Sequence, residues 1–141
     1  MRIKRLTKIA LLALVVMFSS CGKNIERKFI GSMEATNKTQ SELFIDFTID
    51  GKDSTVTVLP EKYGFIKLFE HWGTVKENWP PKEWYEESTQ NVRIYRNVEG
   101  EIQYLDRTYF SYDNVFVHPD NFMNECNVAF EFDVTEEMFT E

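Results

Sequence analysis

Residues 43–59 read LFIDFTIDGKDSTVTVL, and this stretch decides the fold. Apolar side chains occupy alternate positions of its first seven residues, which is the two-residue period of a strand with one buried face. Asp50-Gly51 follows, a pair that favours a two-residue hairpin turn because both turn residues need positive φ. Residues 55–59 supply the returning strand, and Pro60 ends it because proline lacks a backbone donor. The stretch therefore predicts a β-hairpin.

Shorter stretches of the same kind run along the rest of the chain. The clearest is 126–134, where Cys126 and every second residue up to Val134 are apolar. Further strands are predicted at 28–35, 63–69, 92–95, 102–105, 109–112 and 115–117, with turns at 37–41 and 97–100. About seven or eight short strands separated by turns predict an all-β fold, an antiparallel β-sandwich of the immunoglobulin-like kind.

Three residues or short segments near the C-terminus have predicted structural roles. Cys126 lies on the apolar side of an alternating strand, so we expect it to be buried as a small hydrophobic residue. His118-Pro119-Asp120 is expected to form a loop that ends a strand. Thr135 is expected to cap a last helical turn through Met138, because its hydroxyl can accept a backbone N–H there.

One long irregular loop, residues 71–90, interrupts the strands. Pro80-Pro81 forbids regular structure locally, and 83–88 is suited to one helical turn. The candidate ligand-binding residues of this loop are Trp72, Trp79, Trp84 and Tyr85. If exposed, these rings would stack on sugar rings or anchor a protein partner. If buried, they would cover an open side of a small core, and the sequence leaves both interpretations open.

A secretory signal precedes the strands. Residues 2–8 carry four basic side chains, residues 9–18 are apolar, and two small serines stand before Cys21. A positive head, a short apolar segment and small residues at a cleavage point are typical of exported proteins. Ten apolar residues are too few to span a bilayer, which needs about 20. With a cysteine at the cleavage point, residues 1–22 resemble the lipobox of bacterial lipoproteins.

The lipobox resemblance implies a lipid on the Cys21 sulfur and cleavage before that residue. The chain then divides into a lipoprotein signal peptide (1–20), the lipidated cysteine with its tether (21–28) and a β-sandwich domain (29–141). The seven tether residues reach at most about 25 Å, so we expect the domain to stay near the headgroups, where the basic tether residues Lys23, Arg27 and Lys28 can touch anionic lipid.

Gly22, rather than an aspartate, follows the cysteine. By resemblance to enterobacterial lipoproteins, this favours the outer membrane over the inner one. We therefore expect the protein in the bacterial cell envelope, anchored by its lipid to the outer membrane and facing the periplasm.

Charge and motifs exclude several function classes. Residues 1–20 hold four of the 16 basic residues and none of the 23 acidic ones, so the rest of the chain has a formal charge of −11. Such an acidic surface argues against nucleic acid as a partner, because nucleic acid requires a basic face. His71 and His118 lack the spacing of a zinc site, and no glycine-rich phosphate loop or Gly-x-Ser-x-Gly motif is present. We expect no metal, no cofactor and no catalytic residue.

The chain resembles small Bacteroidetes lipoproteins that carry a single β-domain. The resemblance rests on the lipobox, the hairpin that ends at Pro60 and a last strand that closes in Asp-Val-Thr-Glu-Glu (133–137). It carries no functional residues with it. The anchor, the short tether and the scarcity of catalytic motifs together favour a non-catalytic module that binds an envelope protein or another envelope component. The alternative is a glycan-binding accessory lipoprotein that uses the tryptophan-bearing loop 71–90.

Overall fold

The computed structural model describes residues 26–74, 82–122 and 125–139. Within these ranges, eight strands and one helix follow one another: β1 (Arg27–Asn37), β2 (Leu43–Ile49), β3 (Lys52–Val58), β4 (Tyr63–Gly73), α1 (Lys82–Ser88), β5 (Arg93–Val98), β6 (Glu101–Tyr104), β7 (Phe116–Phe122) and β8 (Glu125–Val134). Short 3₁₀ turns occupy Arg107–Phe110, Tyr112–Asn114 and Glu136–Phe139. The helix found in these ranges is too short and too polar to span a membrane.

The strands form two four-stranded sheets. Sheet A has the order β4-β1-β8-β7, and sheet B has the order β3-β2-β5-β6. Apolar side chains of both sheets share one buried core, so the predicted all-β sandwich of about eight strands is confirmed.

The strand pairing differs from the expectation in two details. β1 and β8 pair in parallel at the centre of sheet A, whereas the other pairs are antiparallel. The order also departs from that of immunoglobulin domains, in which the first strand pairs with the second. Alternation of apolar residues shows which face of a strand is buried, but it carries no information on the neighbour or its direction.

The hairpin predicted at 43–59 is present. β2 and β3 pair from Leu43 opposite Val58 to Ile49 opposite Lys52. Asp50 and Gly51 have φ angles of 50° and 72°, which are the positive values that a tight hairpin turn requires. The hairpin contributes its inward-facing side chains to the shared core.

β8 supplies the central buried stripe of sheet A. Every second residue from Cys126 to Val134 is buried, which confirms the predicted strand and the buried position of Cys126. β1 runs alongside β8 in register, and its Gly31 lies where a side chain would collide with the ring of Phe69. A residue without Cβ therefore lets Phe69 pack directly on the backbone of β1.

A buried amide organises the far end of β1. Asn37 is fully buried, and its Nδ2 donates hydrogen bonds to the carbonyls of Ser41 (2.8 Å) and Val58 (2.9 Å). Its Oδ1 accepts the backbone N–H of Thr39 at 2.9 Å. Because both ends of the amide are bonded, this polar group is buried without leaving a donor unpaired.

The C-terminal turn is tied to sheet B by a charged pair. Arg96 is 6% exposed and forms an ion pair with Glu136, while its Nε donates to Gln103 at 2.8 Å. Glu136 also accepts the backbone N–H of Gln40 at 2.8 Å. The hydrogen bond from Arg96, followed by that from Gln40, holds the pKa of Glu136 below its usual value.

Two predicted local structures are wrong. Residues 109–112 do not form a strand, because Asp106 accepts the backbone N–H of Thr108 at 2.8 Å and so starts a 3₁₀ turn. His118-Pro119-Asp120 is not a loop but lies inside β7. β7 is an edge strand of sheet A, which is where a sheet tolerates proline.

Two further details differ near the chain ends. The hydroxyl of Thr135 is buried and has no hydrogen-bond partner within the described residues, so it does not cap the turn that follows. Arg27 and Lys28 belong to β1 rather than to the tether, and Lys28 forms an ion pair with Glu70 at 3.0 Å.

Candidate functional site

The aromatic residues predicted as one binding cluster do not share one surface. Trp72 lies near the end of β4, pairs with Lys28 and is 66% exposed. Trp84 and Tyr85 lie on α1, which packs against the inner side of sheet A. Trp79, like Cys21, lies outside the described residues. The irregular segment is also shorter than predicted, because β4 continues to Gly73 and α1 begins at Lys82.

Tyr85 is a core residue. It is fully buried, its ring centroid lies 4.3 Å from that of Phe130, and its hydroxyl donates to the carbonyl of Phe110 at 2.6 Å. Burial raises the pKa of the Tyr85 hydroxyl well above its ordinary value. The hydroxyl is thus held protonated and already bonded, so Tyr85 cannot contact a ligand and serves the core.

Trp84 also covers the core rather than lining an open groove. It is half-buried, and its ring meets Phe29 and Phe69 edge-on at centroid distances of 5.8 and 5.5 Å. His71 lies against it at 4.7 Å. These contacts favour the burial interpretation for α1 and leave Trp72 as the one exposed tryptophan among the described residues.

An aromatic row crosses the outer face of sheet B. It consists of Phe44 on β2, Tyr95 on β5 and Tyr104 on β6, which are in register across the three strands. Phe44 and Tyr95 are stacked with centroids 5.3 Å apart, and Tyr95 and Tyr104 lie 5.5 Å apart. Tyr104 is 58% exposed and the other two rings are half-buried. The row therefore offers a continuous aromatic surface to solvent.

A polar groove of about 480 Å³ opens beside the aromatic row. Two cross-strand pairs of β2 and β3 line it and are already oriented by hydrogen bonds. The Thr55 hydroxyl donates to Asp46 at 2.6 Å, and the Thr48 hydroxyl donates to Asp53 at 2.8 Å. Each carboxylate lines the groove and can accept further hydrogen bonds, because a carboxylate can accept about four.

The polar groove has mixed charge and both kinds of hydrogen-bonding group. Arg93, the partner of Asp46 across the sheet, adds a guanidinium, and Gln90-Asn91 add two amides. Partial burial and the Asp46 carboxylate 3.5 Å away raise the pKa of the Tyr95 hydroxyl, which stays a neutral donor. Two carboxylates and one guanidinium suit an uncharged ligand rich in hydroxyl groups better than they suit an anion.

The outer face of sheet A carries a second exposed surface. Phe65, Glu34, Glu131 and Phe116 form a row in register across β4, β1, β8 and β7. Phe65 is 53% and Phe116 is 72% exposed. We call these residues the sheet A row. His118 lies near it, with its Nε2 3.7 Å from Glu131.

The two histidines do not meet. His71 is on β4 and His118 is on β7, and these strands form opposite edges of sheet A. His71 pairs with the buried Phe29, whereas His118 pairs with Ala129 on the outer face. In the part of the chain that the structure describes, no group of three or more His, Cys, Asp or Glu side chains can hold a metal ion.

The aromatic row and the polar groove were not among the predicted site residues. One signal pointed to them, because Phe44 is a large apolar side chain at a β2 position that faces away from the core. Its neighbours Tyr95 and Tyr104 are about 50 and 60 residues away in sequence. Only the pairing of β2, β5 and β6 brings the three rings together.

The chain was compared with models of known families, with curated proteins and with solved structures. None of the three comparisons gives a significant match.

Proposed function

We propose that this protein is a lipid-anchored, non-catalytic binding module of the bacterial cell envelope, and that it binds a glycan on the outer face of sheet B. The observation that carries the proposal is the open polar groove beside the exposed aromatic row. The proposed site replaces the loop 71–90, two of whose candidate residues pack into or against the core.

The two parts of this surface match the two sides of a sugar. A pyranose ring has an apolar face of C–H groups that packs on aromatic rings, while its hydroxyls both donate and accept hydrogen bonds. The aromatic row supplies the apolar contact, and Asp46, Asp53, Arg93 and the Gln90-Asn91 amides supply fixed polar groups. Because the row spans three strands, it suits a chain of two or more sugar units better than a single one.

The anchor would keep this site close to the envelope. β1 begins at Arg27, six positions after Cys21. Six residues reach at most about 21 Å when fully extended. A lipid on Cys21 would therefore hold the sandwich beside the membrane, where cell-wall and surface glycans are the accessible polymers.

A glycan array followed by titration tests the ligand. We expect the wild-type protein to bind a neutral glycan, Tyr104→Ala to bind it at least about tenfold more weakly (a loss of about 1.4 kcal/mol), and Asp46→Asn to bind it more weakly as well. Phe116→Ala is the matched control, because it removes an exposed aromatic ring from the opposite sheet. The ligand assignment would be overturned if the wild type bound no cell-wall or plant glycan, or if Tyr104→Ala and Phe116→Ala lost equal amounts of affinity.

The anchor has its own test. We expect palmitate to label the wild-type chain and the labelled protein to float with membrane vesicles, whereas Cys21→Ser should be unlabelled and remain in the aqueous fraction. Equal labelling and flotation of the two proteins would contradict the lipid anchor and leave the sheet B site to be judged by titration alone.

A protein partner is the second candidate, favoured by the exposed Phe65 and Phe116 of the sheet A row. Photo-crosslinking in the cell separates the two candidates. A crosslinker at Phe116 should trap a defined protein if this face is the site of binding, and a crosslinker at Tyr104 should then give none. Adducts at neither position would remove the partner candidate.

A further inference from the structure

The exit of the tether and Trp72 lie at the same end of the sandwich. In the pairing of β1 with β4, Arg27 is opposite Gly73 and Lys28 is opposite Trp72. The chain that leads back to Cys21 therefore starts beside the indole of Trp72.

Trp72 faces away from the core. Its neighbour in sequence, His71, pairs with the buried Phe29 and contacts Trp84, so the alternation of the strand directs Trp72 to the opposite side. It is 66% exposed. An indole with an apolar body and one N–H donor is at its most stable at a boundary between water and an apolar phase.

We infer that this end of the sandwich rests on the bilayer and that the Trp72 ring lies in the lipid headgroup region. The inference depends on the proposed lipid anchor. A lipid on Cys21, joined to β1 by a short segment of chain, is what would place the bilayer beside Trp72. Only residues 22–26 separate the lipidated Cys21 from Arg27, so Arg27 is held within about 21 Å of the acylated residue. Trp72 lies on the adjacent strand, opposite the next residue of β1.

Two basic side chains beside Trp72 share one carboxylate. Lys28 lies 3.0 Å from Glu70, and Lys67 forms an ion pair with the same carboxylate. Hydrogen bonds from Lys67 and Lys28 hold the pKa of Glu70 below its usual value. Lys28 is thus paired with Glu70 inside the domain rather than free to bind anionic lipid. The contact between the domain and the bilayer should therefore depend on the Trp72 indole and only weakly on salt.

Quenching of tryptophan fluorescence by brominated lipid tests this contact. The full lipidated chain is purified from bacterial membranes and reconstituted into phosphatidylcholine vesicles, with or without bromine near the top of the acyl chains. The double variant Trp79→Phe/Trp84→Phe leaves Trp72 as the sole indole. Its matched control is Trp72→Phe/Trp79→Phe, which leaves only the half-buried Trp84.

The inference predicts that the Trp72-only protein loses most of its emission in brominated vesicles, that the Trp84-only protein does not, and that molar salt changes neither result. If a double variant fails to fold, the single variant Trp72→Phe serves instead, and its quenching should fall well below that of the wild type. A protein that floats with vesicles while Trp72 is unquenched overturns the contact and spares the anchor. A protein that does not float overturns both.

Discussion

Two groups of aromatic rings in this molecule have similar spacing and opposite exposure. Around α1, the rings of Tyr85 and Phe130 lie 4.3 Å apart in the core, and Tyr85 is fully buried. In the aromatic row on sheet B, neighbouring rings lie 5.3 and 5.5 Å apart, and Tyr104 is 58% exposed. Aromatic density alone therefore does not show which rings a ligand could reach. The side of the element on which each ring lies decides that.

The difference has a simple structural origin. α1 lies over the end of the inner face of sheet A, so the rings that it presents to the sheet replace water at an open end of the core. The aromatic row occupies the outer positions of three paired strands, whose opposite faces already fill the core with residues such as Ile45 and Ile94. The row contributes little to burial and is free to contact a ligand.

Truncating one tyrosine from each group gives the largest expected contrast. Tyr85→Ala should lower the free energy of unfolding by about 3–5 kcal/mol, because it removes a large buried ring and its hydrogen bond. Tyr104→Ala should change it by no more than about 0.5 kcal/mol. Urea unfolding followed by circular dichroism measures both. Similar losses in the two variants would show that the row is also structural.

Adding one methyl group to β1 tests how tightly the core around Phe69 is packed. In Gly31→Ala the new Cβ meets the Phe69 ring, so we expect a loss of about 1–3 kcal/mol. Gly73→Ala on the neighbouring strand is the control, since its new Cβ would lie 4.0 Å from the Phe29 ring, an ordinary van der Waals distance. The prediction fails if the two variants unfold at the same urea concentration.

Glu136→Gln should cost about 1 kcal/mol near neutral pH, because it weakens a charge-assisted hydrogen bond to Arg96 that is partly open to solvent. The folded-state pKa of Glu136 is lowered, so its contribution is present above the usual glutamate pKa and is lost as the pH falls through the folded value. The wild type and the variant should therefore differ in urea unfolding at pH 6 and converge in strong acid. Glu101→Gln, on an exposed position, is the control that should show no such difference.

Much of the sandwich follows from local pattern. The β2–β3 hairpin, the buried stripe of β8 and the two-residue turn at Asp50-Gly51 are set by alternation and by backbone preference, which act within a few residues. The parallel pairing of β1 with β8 is not local, because these strands are about 100 residues apart and meet only through the closure of sheet A.

The candidate site could be predicted only in part for the same reason. The aromatic residues of 71–90 were visible as a group, yet the strand period places Trp72 outward while α1 turns Tyr85 inward. The polar groove combines β2, β3, β5 and the segment after α1, so its residues become neighbours only in the folded sheet.

Asp46→Asn is expected to have the smallest effect on stability. The amide retains an oxygen that can accept the Thr55 hydroxyl, so the free energy of unfolding should change by no more than about 0.5 kcal/mol. Glycan affinity should nevertheless fall, because the variant loses a charged acceptor in the groove. Unchanged affinity in titration calorimetry would remove Asp46 from the proposed site.

The most direct test is a nuclear magnetic resonance titration of the ¹⁵N-labelled protein with a glycan that binds on the array. We expect the amide shifts to concentrate on the aromatic row and the polar groove, at residues 44–48, 53–57, 90–95 and 104. Shifts confined to α1 or to the sheet A row, or no shifts with any glycan of the panel, would contradict a glycan site on the outer face of sheet B.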